Sequence, residues 1–74
     1  YEDYMKVIIN GTDYYFFDGS TISYEHILEL AGYGPKRVIT VVFSSKSSSG
    51  DLFFGQEVDV VEGLVINAVN TGNA

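Results

Sequence analysis

Apolar and polar positions alternate with a period of two near both ends of the chain and follow a helical period between them. Met5-Lys6-Val7-Ile8-Ile9 and Thr12-Asp13-Tyr14-Tyr15-Phe16-Phe17 are β-rich runs separated by Asn10-Gly11. Such a pair predicts a hairpin closed by a type I′ turn, which needs positive φ at both central residues. The register follows, with Ile9 opposite Thr12, Val7 opposite Tyr14 and Met5 opposite Phe16. Side chains alternate across a strand, so these six share the face assigned to the core. Tyr4, Lys6, Ile8, Asp13, Tyr15 and Phe17 take the other face, an apolar set for a surface facing solvent.

Asp18-Gly19-Ser20-Thr21 reads as a loop. The stretch from Ile22 to Gly32 reads as one short helix. Tyr24, Ile27, Leu28 and Ala31 fall at i, i+3, i+4 and i+7, the spacing of one buried face. Ser23 is the expected N-cap. Ile22 and Ile27 form a hydrophobic staple around it. Glu25 suits the positive end of the helix dipole. Gly32 supplies a left-handed C-cap, with Pro35 just beyond. A helix this short does not persist alone, so it must lie on a sheet.

Arg37 to Ser44 is β-branched almost throughout and predicts a strand, with Ile39, Val41 and Phe43 inward and Val38, Thr40 and Val42 outward. Ser45 to Gly50 reads as a polar turn and Asp51-Leu52-Phe53-Phe54 as a short strand. Gly55-Gln56-Glu57 turns the chain, Val58 and Val60 alternate with charge, and Glu62-Gly63 turns it again. Leu64 to Val69 is the last strand, with Leu64, Ile66 and Ala68 inward. A hairpin, a crossover helix and three further strands predict an α+β fold. The economical arrangement is a β-grasp, a ββαβββ mixed sheet packed on one short helix. Residues 1–69 form the single domain in this reading, and 70–74 a flexible C-terminal tail.

Composition narrows the function. The chain of 74 residues carries ten Asp and Glu against four Lys and Arg, a formal net charge of −6. That sign opposes nucleic acid, whose binding rests on phosphate neutralisation, and an anionic membrane surface. With no cysteine and one histidine, there is no thiolate nucleophile, disulfide or two-histidine metal site. No apolar run approaches the ~20 residues of a spanning helix and no stretch reads as a secretory signal, so the cytoplasm is the expected compartment. His26 reads as a surface histidine, and Glu25 with Glu29 as a solvated helix face. Asp51, Glu57, Asp59 and Glu62 do not match a calcium loop. Gly32-Tyr33-Gly34-Pro35-Lys36 follows a helix where a phosphate loop would precede one. Asn10-Gly11-Thr12 matches a glycosylation triplet, but the tight hairpin turn accounts for it. No nucleophile–base set is legible, and an enzyme is not expected.

Ile8-Ile9-Asn10-Gly11-Thr12, then Thr21-x-x-Tyr24-Glu25-x-Ile27-x-x-Leu30-Ala31-Gly32, then Val58-x-Val60 and Glu62-Gly63 resemble the bacterial multi-ubiquitin family of β-grasp domains. The resemblance runs from about Val7 to Val69, and the order of its short motifs carries it. It implies a protein modifier, or one unit of its precursor. The C-terminal carboxylate would be adenylated with ATP by an activating enzyme, then passed to a conjugating enzyme and a target protein. A processing or deconjugating peptidase is implied as a further partner. The modifier itself would bind no cofactor. Such modifiers commonly end in Gly-Gly, whereas this chain ends Thr71-Gly72-Asn73-Ala74. The conjugation tail therefore comprises Thr71, Gly72 and Asn73, with Gly72, Asn73 or Ala74 as the mature end. Five residues beyond Val69 reach at most ~17 Å, enough to enter a partner's cleft.

An exposed apolar surface marks a partner site. The candidates are Ile8, Tyr15, Phe17, Val42, Val65 and Val69, with Tyr4 and Val38 beside them. Two further readings stay open: a sulfur carrier on the same fold, and a non-covalent β-grasp binding module that uses the sheet face without the tail.

Overall fold

The computed structural model describes residues 3–33 and 39–70. The chain runs β1 (Tyr4–Ile9), β2 (Thr12–Phe17), β3 (Thr21–Ser23), α1 (Tyr24–Ala31), β4 (Ile39–Ser44), β5 (Ser49–Leu52), β6 (Glu57–Asp59) and β7 (Val65–Asn70). Five strands form a mixed sheet in the order β2-β1-β7-β4-β5, and β3 pairs with β6 in a separate two-stranded ladder. β7 lies parallel to β1 and antiparallel to β4. This small α+β architecture, one mixed sheet with one short helix, is compatible with the β-grasp expected from the sequence.

The hairpin has the expected register, Ile9 opposite Thr12 through Met5 opposite Phe16. Asn10 (φ 51) and Gly11 (φ 83) both take positive φ, the backbone whose twist matches two right-twisted strands. Ser23 caps α1 by accepting the His26 N–H at 3.1 Å. Gly32 ends the helix at φ 87, its N–H donating to Glu29 O. Tyr24, Ile27 and Leu28 bury the inner face of the helix. They meet Val7 and Ile9 of β1, Ile39 and Val41 of β4, and Ile66 and Ala68 of β7 in one core, joined by Ile22, Leu52, Val58, Val60 and Leu64. Among the described residues no polar or charged side chain is buried outright.

Several local expectations are corrected, among them those for Ile22 and Ser23, which precede the helix in β3, and for Glu57, which opens β6 and is not a turn residue. Thr21 belongs to a strand, not to a loop: β3 pairs Thr21 with Asp59 and Ser23 with Glu57. Backbone bonds extend this ladder at both ends, from Val60 N to Ser20 O and from Tyr24 N to Gln56 O. Three residues are too few for alternation to register in a sequence, and the partner lies nearly forty residues away. The fifth strand is Ser49–Leu52 in place of Asp51 to Phe54. Its start is set by pairing to β4, Ser44 with Ser49 and Phe43 with Gly50, which overrides the poor strand propensity of Ser and Gly. Its end is set by a turn. Gln56 N donates to Phe53 O at 2.9 Å, Phe53 N donates to Gln56 Oε1 at 3.0 Å, and Gly55 sits at φ 88.

Three tyrosine hydroxyls tie the layers together. Tyr24 donates to Ile39 O at 2.7 Å, Tyr14 to Leu30 O at 3.1 Å and Tyr33 to Ala68 O at 3.2 Å. Tyr24 is the most buried of the three, so its bond exchanges least with water. Tyr24→Phe should destabilise the domain by about 1 kcal/mol, the usual net cost of one hydrogen bond. Ile66→Ala should cost about 2–5 kcal/mol through the cavity it leaves. Urea unfolding of the two variants checks the ranking.

Candidate functional site

β7 is the element that carries the chain toward its C-terminus, and it sits between β1 and β4. Even-numbered residues from Leu64, just before β7, onward turn their backbone groups toward β1: Ile8 N donates to Leu64 O at 3.2 Å and Asn10 N to Ile66 O at 2.9 Å. β1 then ends at the hairpin turn, while β7 continues. The Asn10 side chain supplies the missing pairing, its Nδ2 donating to Ala68 O at 3.1 Å and its Oδ1 accepting from Ala68 N at 2.7 Å. A carboxamide here imitates one more peptide unit of β1. The sequence marks Asn10 as a turn residue, and nothing in its local pattern discloses this second task. Asn70 is the last residue of β7, opposite Ile39, so the strand runs one residue into the segment expected to be tail. Thr71, Gly72 and Asn73, the expected conjugation tail, lie outside the described residues, as does Val38.

The candidate surface residues fall into two groups on the outer face. Tyr4, Tyr15 and Phe17 are exposed near the end of the hairpin away from its turn, with the Tyr4 and Phe17 rings 4.8 Å apart. Val42 and Val69 are exposed toward the other end. Ile8 and Val65 are direct neighbours across the parallel ladder and are half-buried between the groups. Tyr4 precedes Ile8 by four residues, and Val69 follows Val65 by four. At about 3.3 Å per residue the extreme members, Tyr4 and Val69, stand about 26 Å apart along the strands, whereas Tyr15, level with Lys6, and Val42, level with Asn67, are only about 13 Å apart in that direction.

The group near the end of β7 contains a residue that sequence reasoning placed only in a strand. Phe53 is 62% exposed and lines a surface depression with Phe54, Thr40, Ile39 and Tyr24. Thr40 is paired with Val69, so Phe53, Thr40 and Val69 follow one another across three neighbouring parts of the sheet. Val42 lies one step further along β4. The Phe53–Gln56 turn holds Phe53 at this corner, and Phe54 meets Tyr24 edge-on at 6.0 Å. The sequence signal was Phe-Phe-Gly, two large apolar residues running into a turn glycine.

His26 is exposed, its ring edge-on to Phe16 at 6.0 Å. Among the described residues no group of three His, Cys, Asp or Glu side chains could hold a metal ion, and no helix is long and apolar enough to cross a membrane. Val42, Phe53 and Val69 are exposed apolar residues, with Val69 of β7 opposite Thr40 and Val42 opposite Asn67 of β7.

Asn10→Gly keeps the positive-φ turn and removes the carboxamide. It should destabilise the domain by about 1–2 kcal/mol and speed hydrogen exchange at the Ala68 amide more than at the Ile66 amide. Asn10→Asp keeps an acceptor for Ala68 N but sets a carboxylate against Ala68 O, and should cost at least as much. Amide exchange followed by NMR decides both cases.

Comparison with protein families, with curated proteins and with solved structures gives no match to this chain.

Proposed function

We propose that this chain is a ubiquitin-like protein modifier on a β-grasp fold, or one unit of such a modifier's precursor. It would be activated at its C-terminal carboxylate by an activating enzyme with ATP, then conjugated to a target protein through a conjugating enzyme, with a peptidase for processing or removal. The observation that supports this reading is the placement of β7. The strand leading to the C-terminus is held on both sides in the middle of the sheet, and its last residues include the exposed Val69, with the exposed Val42 opposite Asn67 on β4 and the exposed Phe53 just after β5. A partner docked on these three would have the residues that follow β7 within reach of its active site. The catalytic groups would belong to the partners, and the modifier would contribute position. A net charge of −6 would favour encounter with a basic groove.

The resemblance to the bacterial multi-ubiquitin family, carried by Asn10-Gly11, by the Thr21 to Gly32 motif and by Glu62-Gly63, supports the same reading. A non-covalent binding module is the second reading. The separate aromatic group of Tyr4, Tyr15 and Phe17 favours it, because that surface stands far from the tail.

Intact-mass analysis with the cognate activating and conjugating enzymes separates the two. The modifier reading expects adducts that require ATP and that disappear when residues 72–74 are deleted. Val42→Asp and Phe53→Asp should slow transfer about tenfold or more, the effect of losing a hot-spot contact worth at least ~1.4 kcal/mol. Tyr15→Asp should leave the transfer rate within about threefold. An unchanged mass with enzymes shown to be active on another substrate overturns the modifier reading.

A further inference from the structure

β2 forms one edge of the five-stranded sheet. In an antiparallel pair, residues alternate between exchanging backbone bonds with the partner strand and turning those groups away. The phase is fixed at the open end of the hairpin, where Asp18 N donates to Asp3 O at 2.7 Å. Counting in steps of two, Phe16, Tyr14 and Thr12 bond to β1. Asp13, Tyr15 and Phe17 therefore direct their N–H and C=O groups to the open edge. One of these six groups is already used: Phe17 O accepts from Ser20 N at 3.1 Å and from Ser20 Oγ at 2.6 Å. Five remain unpaired among the described residues.

Exposed edges recruit other strands, and natural sheets blunt them with lysine, proline, bulges or very short strands. β2 carries one charge, Asp13 near its start, and none of the other devices. It is six residues of regular strand, Thr-Asp-Tyr-Tyr-Phe-Phe, with no bulge in its register to β1. The residues whose backbone faces outward also include two exposed aromatics, Tyr15 at 64% and Phe17 at 57%. The other edge, β5, is four residues, Ser-Gly-Asp-Leu, with no aromatic residue within the strand itself. The charges around β2 are mostly acidic, with Lys6 of β1, opposite Tyr15, as the one cation on the adjacent strand. Asp13 and Asp18 bracket the edge, and Glu25 and Glu29 are exposed on α1, whose His26 touches Phe16 of β2.

We propose that the β2 edge is a docking site for an extended segment of a partner protein, which adds as a sixth strand and carries alternating aliphatic residues flanked by lysine or arginine. Backbone bonds to Asp13, Tyr15 and Phe17 would supply most of the affinity, and alternate side chains would rest on the exposed aromatics. The acidic bracket selects basic flanks. It also disfavours a second copy of this chain, which brings the same charges and a net −6 of its own. The inference does not rest on the modifier reading, because it needs no C-terminal chemistry.

The test uses the full chain, labelled with nitrogen-15, and a capped peptide of sequence Arg-Lys-Val-Thr-Val-Thr-Val-Lys-Arg. Binding should shift the amides of Asp13, Tyr15 and Phe17 most and protect them from hydrogen exchange about tenfold or more. Methylating alternate backbone nitrogens of the peptide, which leaves the protein unaltered, should abolish binding. Asp13→Lys with Asp18→Lys should weaken it about tenfold. Tyr15→Pro removes an outward N–H that β1 does not use and should also abolish binding. Tyr15→Lys, the residue that natural edges use, repeats the test without constraining the backbone. Three outcomes overturn the proposal: no binding at millimolar peptide, undiminished binding of the methylated peptide, or shifts confined to Val42 and Val69. So does a dimer, seen by sedimentation without peptide, that Tyr15→Pro dissolves, since the occupant would then be a second copy.

Discussion

The rest of the structure depends on how β7 is held. Its inward residues Ile66 and Ala68, and Leu64 just before it, are buried in the core with the helix, while its backbone is divided between a parallel ladder to β1 and an antiparallel ladder to β4. β1 stops at the hairpin turn before β7 ends, which would leave the Ala68 backbone facing a gap. The Asn10 carboxamide closes it. The two demands on this residue select the amino acid between them. The turn requires positive φ, which Asn, Asp and Gly accept, and the ladder requires one donor and one acceptor, which among these three only the Asn carboxamide offers. Asn meets both conditions.

A small domain buries a modest fraction of its surface and has little core to spare. This one has no cysteine to compensate. Its tyrosines add long-range links. Tyr14 joins the hairpin to the end of α1, Tyr24 joins the start of α1 to β4, and Tyr33 joins the segment after α1 to β7. Each ring contributes apolar area while its hydroxyl reaches a main-chain carbonyl, the combination that suits an aromatic with one polar end. The helix is thereby fastened at both termini to different parts of the sheet, and the Asn10–Ala68 pairing shares its carbonyl with Tyr33.

With the interior fixed in this way, the surface separates into two parts of different character. The Val42, Phe53 and Val69 corner is apolar and built from side chains. The β2 edge is built mainly from unpaired backbone groups and is bracketed by carboxylates. A side-chain corner is read through shape, and a strand edge through main-chain register. The two surfaces sit on different strands of the sheet.

The sequence by itself determined the local elements whose signals are complete within a few residues. Asn10-Gly11 specified the hairpin and its register. Ser23, the Tyr24–Ile27–Leu28 spacing and Gly32 specified the helix and both its ends. The alternation in Ile39 to Phe43 and in Leu64 to Ala68 specified which side of each strand is buried. Only the tertiary structure decided features that depend on a distant partner. The β3–β6 ladder joins Thr21 to Asp59. β5 begins at Ser49 because β4 is beside it, and Phe53 becomes a surface residue because the chain turns there. Asn10 reaches Ala68 across 58 positions of sequence. Local signals are written in propensity and periodicity, which neighbouring residues share. A strand of three residues, or one amide bonded to a remote backbone, leaves no periodicity to read.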